Sequence, residues 1–132
     1  KSTFQIGGAG AVGTGSLRGM PHLLRLQEAG WPIWPFDDPQ PRTAIEIYPR
    51  ALTGPVTKSR REERRHYLER TPWLGTAAQL SAAIDSEDAF DAAISALVMA
   101  QHAADLAHLP TGDATARREG MIWVPPSRPV PY

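Results

Sequence analysis

The sequence predicts an α/β fold in which a small sheet is flanked by helices. Helix-like and strand-like segments alternate along the chain, which is typical of layered α/β proteins. The length of 132 residues is in the range of one domain, and 42% hydrophobic and 21% charged residues are an ordinary globular balance. Because only two or three segments resemble strands, we expect further strands upstream of Lys1, and we predict a single, partial domain over residues 1–132.

The first third of the chain is predicted to contain one helix between irregular segments. Residues 7–15 are rich in glycine and predict a loop. Pro21 is suited to the first turn of a helix that runs to Ala29 and is stopped by Gly30. Residues 31–36 contain two prolines, each of which disfavours a helical residue before it, so this segment is predicted to be extended.

The remaining elements follow from composition and periodicity. Residues 43–48 are β-branched and aromatic and predict the clearest strand, and residues 121–124 predict a second short strand. Helices are predicted over residues 58–70, 76–84 and 85–108, the last with Asp85 or Ser86 as its N-cap. Residues 125–132 are a proline-rich tail.

Charge and composition exclude several classes of function. The formal net charge is zero, which argues against a uniformly basic protein that coats nucleic acid. There is no cysteine, so disulfides and thiolate metal sites are impossible. No apolar stretch approaches the roughly 20 residues that span a bilayer. We therefore expect a cytoplasmic protein without a membrane partner, and the sequence does not indicate its oligomeric state.

Glu46 is the first candidate site residue, because it lies in the middle of a predicted strand between Ile45 and Ile47. An ionised carboxylate is costly to bury unless it is paired or binds a metal. The alternative is a strand that is exposed on one side, with Ala44, Glu46 and Tyr48 facing water. Both interpretations remain open on the strand pattern alone.

Asp88 and Asp91 form a second candidate, since they lie one turn apart on the longest predicted helix. Two acids that face the same way suit a divalent cation, because Mg²⁺ binds hard oxygen ligands and commonly uses one or two carboxylates. The alternative is that both are solvated, with Asp88 stabilised by the helix dipole in the first turn. The core side of this helix is predicted to contain Phe90, Ile94 and Leu97.

The helix predicted over residues 58–70 is strongly basic. Arg61 and Arg65, or Arg60 and Arg64, lie one turn apart and could bind phosphate, and the first pair together with Lys58 are the leading candidates. The alternative is a solvated helix held by ion pairs with Glu62, Glu63 and other acids.

Residues 8–13 match the glycine pattern of dinucleotide-binding folds. That motif requires a buried strand before it and a helix after it to receive the pyrophosphate. Residues 4–6 are too short to predict such a strand, so we expect a loop here and keep a nucleotide-binding enzyme as the third interpretation.

Four segments of the sequence suggest a family. They are FQIGGAGAVGTGSLRG at residues 4–19, IEIYP at 45–49, EDAFDA at 87–92 and EGMIW at 119–123. Together, and in this order, they resemble the family catalogued as domain of unknown function 429, which is described as predicted nucleases with an RNase H-like fold. The resemblance covers nearly the whole chain and implies the carboxyl-terminal portion of that fold, hence a partial RNase H-like fold.

The resemblance also implies a site. In RNase H-like nucleases, acids from two strands and a late helix hold divalent metals, and similarity assigns the later-strand acid to Glu46 and the helix acids to Asp88 and Asp91. Mg²⁺ or Mn²⁺ held there would support hydrolysis of phosphodiester bonds in nucleic acid. The first-strand Asp has no counterpart in this sequence, so we expect this chain alone to be inactive.

The leading prediction is therefore a metal-dependent nuclease with Glu46, Asp88 and Asp91 as catalytic metal ligands and Lys58, Arg61 and Arg65 beside the substrate. The alternative is a non-catalytic module of the same fold that binds nucleic acid or a protein.

Overall fold

A computed structural model describes residues 13–126 of the chain. Residues 8–12 of the glycine pattern and the tail beyond residue 126 lie outside the described residues, so the predictions made for them stay predictions. The loop predicted over residues 7–15 is wrong at residues 13–15, which are helical. The elements in chain order are α1 (Gly13–Glu28), β1 (Glu46–Ile47), α2 (Pro49–Thr53), α3 (Arg61–Glu69), α4 (Ala77–Asp85), α5 (Glu87–Gln101), α6 (Ala103–Ala107), α7 (Ala116–Glu119) and β2 (Ile122–Trp123).

The described chain is mixed α/β, as the sequence predicts. Its strands β1 and β2 form a two-stranded parallel sheet, with Glu46 opposite Ile122 and Ile47 opposite Trp123. The residues divide into two compact units. The described part of unit 1 comprises residues 13–45 and 110–121, and that of unit 2 comprises residues 46–109 and 122–126.

Unit 1 is built around α1 and the extended segment that follows it. α1 ends in a Schellman motif, in which Gly30 N–H donates to the Gln27 carbonyl and Trp31 N–H donates to the Leu26 carbonyl. Gly30 has a φ of 79°, which a glycine adopts without the steric cost that a Cβ brings. Ile33 then forms an isolated parallel bridge with Ala44.

The start of α1 differs from the prediction. The sequence predicts a helix that begins at Pro21, whereas α1 begins at Gly13 and contains Pro21 in its interior. Proline cannot donate a hydrogen bond to the preceding turn and normally breaks a helix. Here Leu17, one turn before Pro21, is 58% exposed, so solvent can satisfy the backbone carbonyl that Pro21 leaves without a donor.

Unit 2 is organised by α5, which packs against α2 and α4. Ser86, one of the two N-caps that the sequence offers, caps α5, and its hydroxyl accepts from Ala89 N–H. Phe90, Ile94 and Val98 are buried, whereas Leu97 is only half-buried. The core stripe thus follows the spacing of four residues along α5.

The long helix predicted over residues 85–108 is two helices. α5 ends at Gln101, and α6 begins at Ala103. Between them His102 has φ −104° and ψ 27°, which interrupts the helical backbone. The ring of His102 packs edge-on against Trp123, with 6.2 Å between the ring centroids.

The capping box of α4 fixes where this helix begins. The Thr76 hydroxyl accepts from Gln79 N–H, and the Gln79 side chain accepts from Thr76 N–H. Two amide groups that the first helical turn leaves free are thereby bonded.

Candidate functional site

The basic helix α3 is held in unit 2 by one buried cation. Arg64 is 4% exposed, and its guanidinium donates to the carbonyl of Ile84 at 2.9 Å and to the carbonyl of Lys58. A buried guanidinium is tolerated when its donors are bonded in this way. Arg64 therefore ties α3 to the end of α4 and to the loop that precedes α3.

Lys58 and Asp91 form an ion pair between that loop and the second turn of α5. The Lys58 side chain is 38% exposed and that of Asp91 is 16% exposed, so solvent reaches the pair mainly from the lysine side. Asp91 Oδ2 accepts from the Lys58 ammonium, while Asp91 Oδ1 is buried without a hydrogen-bond partner among the described residues. The hydroxyl of Ser95, one turn further along α5, is also buried without a hydrogen-bond partner among the described residues.

The three acids predicted to hold a metal lie in different environments. Glu46 is an exposed residue of β1, Asp88 is exposed in the first turn of α5, and Asp91 is half-buried against Lys58. Within residues 13–126, no group of three or more His, Cys, Asp or Glu side chains is placed to hold a metal ion. Asp91 thus lies beside the ammonium group of Lys58, and it does not form a metal-binding group with Glu46 and Asp88.

In the described arrangement, Asp91 is not open to a Mg²⁺ or Mn²⁺ ion. A divalent cation needs several oxygen ligands that it can reach. One oxygen of Asp91 already faces the Lys58 ammonium, and the other is enclosed. A metal site at Glu46, Asp88 and Asp91 therefore stays a prediction from the resemblance.

The predicted phosphate-binding arginines lie together on the exposed side of α3. Glu62 lies between them, with its Oε1 3.5 Å from Arg61 Nη1 and its Oε2 3.4 Å from Arg65 Nε. The Arg61 side chain is 49% exposed and that of Arg65 is 42% exposed. One oxyanion thus already lies between the two guanidinium groups, at distances longer than a good charge-assisted hydrogen bond.

Arg61 is also anchored to the end of α4. Its Nε donates to Asp85 Oδ1 at 2.7 Å, and Ser81 donates to the other oxygen of that carboxylate at 3.4 Å. The hydrogen bond from Arg61 lowers the pKa of Asp85 below its ordinary value. This pairing orients the guanidinium, while Arg61 Nη1 on its other side lies beside Glu62.

Sequence reasoning overlooked a polar pocket in unit 1, lined by Gln27, Gly30, Trp31, Pro32, Asp37, Asp38 and Gln40. In the sequence, this pocket is marked only by Trp31, which follows the end of a helix, and by the adjacent pair Asp37 and Asp38. Neither forms a recognised motif, although all the lining residues lie within residues 27–40.

Comparison with known proteins finds no family model that matches the chain and no curated protein or solved structure with significant similarity to it. The RNase H-like fold and the family resemblance therefore stay predictions. Over the part of the chain that the structure describes, no helix has both the length and the apolar character needed to cross a bilayer.

Proposed function

We propose that unit 2 binds the phosphodiester backbone of nucleic acid through Arg61 and Arg65 of α3, as a non-catalytic module. The observation behind the proposal is the position of Glu62, whose carboxylate lies between the two guanidinium groups. A phosphate has the same charge sign and more acceptor oxygens than a carboxylate. It would replace Glu62 as the shared partner of both arginines.

The exposure of the two side chains supports this proposal. The Arg61 side chain is 49% exposed and that of Arg65 is 42% exposed, although Arg65 Nε is itself enclosed and makes no hydrogen bond with the described residues. A polyanion would therefore meet Arg61 and the outer nitrogens of the Arg65 guanidinium. Arg60 and Arg70 add exposed positive charge at the two ends of α3. Because the helix also contains acids, we expect moderate, salt-sensitive affinity rather than tight binding.

A second candidate is the metal-dependent nuclease that the resemblance implies. One observation favours it: Asp91 has a buried oxygen without a partner among the described residues, beside the cation Lys58. Oxygen ligands next to a lysine are suited to hold a metal and the phosphate that it polarises. This proposal needs Asp91 to exchange Lys58 for an ion.

The two candidates differ in their response to Mg²⁺ and Mn²⁺. For the non-catalytic module, a labelled oligonucleotide stays intact with either ion, and Asp91→Asn leaves its affinity unchanged. For the nuclease, cleavage requires the ion and is lost in Asp91→Asn while far-ultraviolet circular dichroism stays unchanged. The chain used for both measurements is residues 1–132.

The sharpest test of the proposed phosphate site removes the charge of Glu62, which would compete with phosphate for Arg61 and Arg65. Glu62→Gln keeps the size of the side chain and removes its charge, so affinity for a fluorescent single-stranded oligonucleotide should rise by about threefold to tenfold. Arg65→Gln should lower it by a similar factor. Glu119→Gln, an exposed acid of unit 1, is the matched control for a general change in charge. Equal gains for Glu62→Gln and Glu119→Gln would contradict a site on α3.

A further inference from the structure

The polar pocket of unit 1 is an open depression of the surface, large enough to hold part of a small ligand. Its volume is about 320 Å³, which is near the lower end of the range of ligand pockets. One of its walls is the indole of Trp31, which is 37% exposed, and the others present side-chain amides and carboxylates. None of these residues belongs to α3 or α5.

The carboxylate of Asp37 fixes one side of the pocket. Asp37 Oδ2 accepts from Ile33 N–H at 2.9 Å and from Gln27 Nε2 at 3.0 Å. These bonds lower the pKa of Asp37, the bond from Ile33 most, so the group is ionised at neutral pH. Since the Gln27 amide nitrogen is bound to Asp37, its Oε1 remains an acceptor that no hydrogen bond among residues 13–126 uses.

Asp38 supplies a second acceptor. Its Oδ1 is paired with Arg117, which also donates to the carbonyls of Phe36 and Gly112, each at 3.0 Å. Those extra bonds hold the guanidinium in place. The other carboxylate oxygen of Asp38 has no partner within the described part of the chain, and the side chain is 71% exposed. The pocket therefore offers acceptors in excess of donors.

Arg42 lies against the aromatic wall of the pocket. Its guanidinium carbon is 6.0 Å from the ring centroid of Trp31, at the outer limit of a cation–π contact. Arg42 is exposed and makes no ion pair with the other described residues. Arg42 lies over the ring and does not itself line the pocket, so a base that stacks on this face displaces the guanidinium, which remains close enough to pair with the phosphate.

We propose that this pocket binds a nucleotide whose base has an exocyclic amino group, as in adenine and cytosine. The base stacks on Trp31, and its amino group donates to Gln27 Oε1 and to the free oxygen of Asp38. Arg42 pairs with the phosphate. The site is independent of the phosphate site on α3, because its residues all belong to unit 1.

The excess of acceptors gives the pocket a preference among bases. An amino group places N–H donors toward Gln27 and Asp38, whereas a carbonyl in the same position places lone pairs against them. A carbonyl in this position would face the Gln27 amide oxygen and the Asp38 carboxylate, so it is disfavoured, by a modest factor because these acceptors are exposed to water. Adenosine monophosphate should therefore bind better than inosine monophosphate, and cytidine monophosphate better than uridine monophosphate.

The indole N–H resonances of the four tryptophans report on this binding directly. In a two-dimensional nitrogen–proton spectrum, adenosine monophosphate should shift the Trp31 resonance saturably at concentrations up to about 5 mM. Inosine monophosphate should bind at least about fivefold more weakly. Absence of a saturable Trp31 shift, or equal affinity for the two nucleotides, would overturn the proposal. Neither outcome bears on the Arg61–Arg65 site, for which the Glu62→Gln measurement is decisive.

Variants separate the parts of the pocket. Trp31→Leu should abolish binding and Trp31→Phe should retain part of it, while Trp73→Phe in unit 2 is the control and should change nothing. Asp38→Asn should reduce the preference for adenosine over inosine monophosphate. Arg42→Gln should weaken the binding of the nucleotide but not that of the nucleoside, which has no phosphate. If Trp31→Leu binds adenosine monophosphate as tightly as the wild type does, the base does not stack on Trp31.

The source of the nucleotide follows from one further comparison. A short single-stranded oligodeoxyadenylate should bind more tightly than adenosine monophosphate if the ligand is a nucleic-acid strand, since neighbouring phosphates add charge contacts. Equal or weaker binding of the oligonucleotide identifies a free nucleotide. Either result requires the Trp31 shift to be present.

Discussion

Arg64 is buried, although the sequence does not distinguish it from the other arginines around α3. The segment over residues 58–70 contains six basic side chains, and helical spacing alone pairs Arg60 with Arg64 as readily as Arg61 with Arg65. The structure buries Arg64 and gives its donors to two backbone carbonyls. Which arginine faces inward depends on the position of α4, and sequence spacing does not contain that information.

We predict that Arg64→Met destabilises the protein by about 2 kcal/mol, because it removes two charge-assisted bonds and leaves two carbonyls without a donor. The methylene groups of methionine retain part of the packing. Urea denaturation followed by circular dichroism measures the change. Arg60→Met, at an exposed neighbouring position, should stay within about 0.5 kcal/mol of the wild type. Equal losses in the two variants would show that Arg64 is not an internal anchor.

Asp37 makes the stability of unit 1 depend on pH. Its pKa in the folded state is below the ordinary value, first through the bond from Ile33 and then through that from Gln27. A lowered folded pKa means that this stabilisation is complete above the unfolded pKa of about 4 and is lost as the pH falls through the folded pKa.

We therefore predict that Asp37→Asn reduces the dependence of stability on pH below about pH 4 and lowers stability at pH 7. Thermal unfolding between acidic and neutral pH measures both effects. Glu28→Gln, which replaces an exposed acid at the end of α1, is the control. A variant at Asp37 that loses stability equally at every pH would contradict this role of the carboxylate.

At the level of elements, local capping chemistry was the most reliable guide. The sequence offers Asp85 or Ser86 as an N-cap and a helix beginning near Thr76, and the structure has the N-cap at Ser86 and a helix that begins after Thr76. The sequence pattern gave no indication of the break at His102, since neither glycine nor proline is present there. The early start of α1 was missed because Pro21 is equally suited to the first turn of a helix.

The capping box of α4 gives a prediction at the same scale. Thr76→Ala removes the acceptor for Gln79 N–H and should destabilise the protein by about 1 kcal/mol. Thr57→Ala, in the loop before α3, is the control because its side chain is exposed. Chemical denaturation measures both variants. If Thr76→Ala is neutral, the box does not stabilise α4 in solution.

The candidate site shows what helical spacing can and cannot predict. The exposed Arg61–Arg65 pair follows from positions four apart on one helix, so the sequence predicted it. The ion pair of Lys58 with Asp91 joins residues 33 positions apart and depends on how α5 packs in unit 2. Grouping Glu46 with Asp88 and Asp91 required a sheet-to-helix geometry that only the resemblance implied.

On the scale of the whole chain, the α/β class was predictable because helix and strand patterns alternate. The extent of the sheet was not predictable, because a strand of two residues such as β1 depends on its partner rather than on its own composition. The formal net charge of zero also conceals the local distribution, since residues 60–70 contain five arginines against three glutamates. Function is therefore argued from that segment and not from the overall charge.

The salt dependence of oligonucleotide binding tests the central claim most directly. Each phosphate contact on a single strand contributes about 0.7 to the slope of log affinity against log salt concentration. The double variant Arg61→Gln/Arg65→Gln should lower the magnitude of that slope by about 1.4. The control Arg18→Gln/Arg118→Gln removes two exposed charges from unit 1 and should keep the wild-type slope. A double variant at Arg61 and Arg65 with an unchanged slope would contradict phosphate binding by α3.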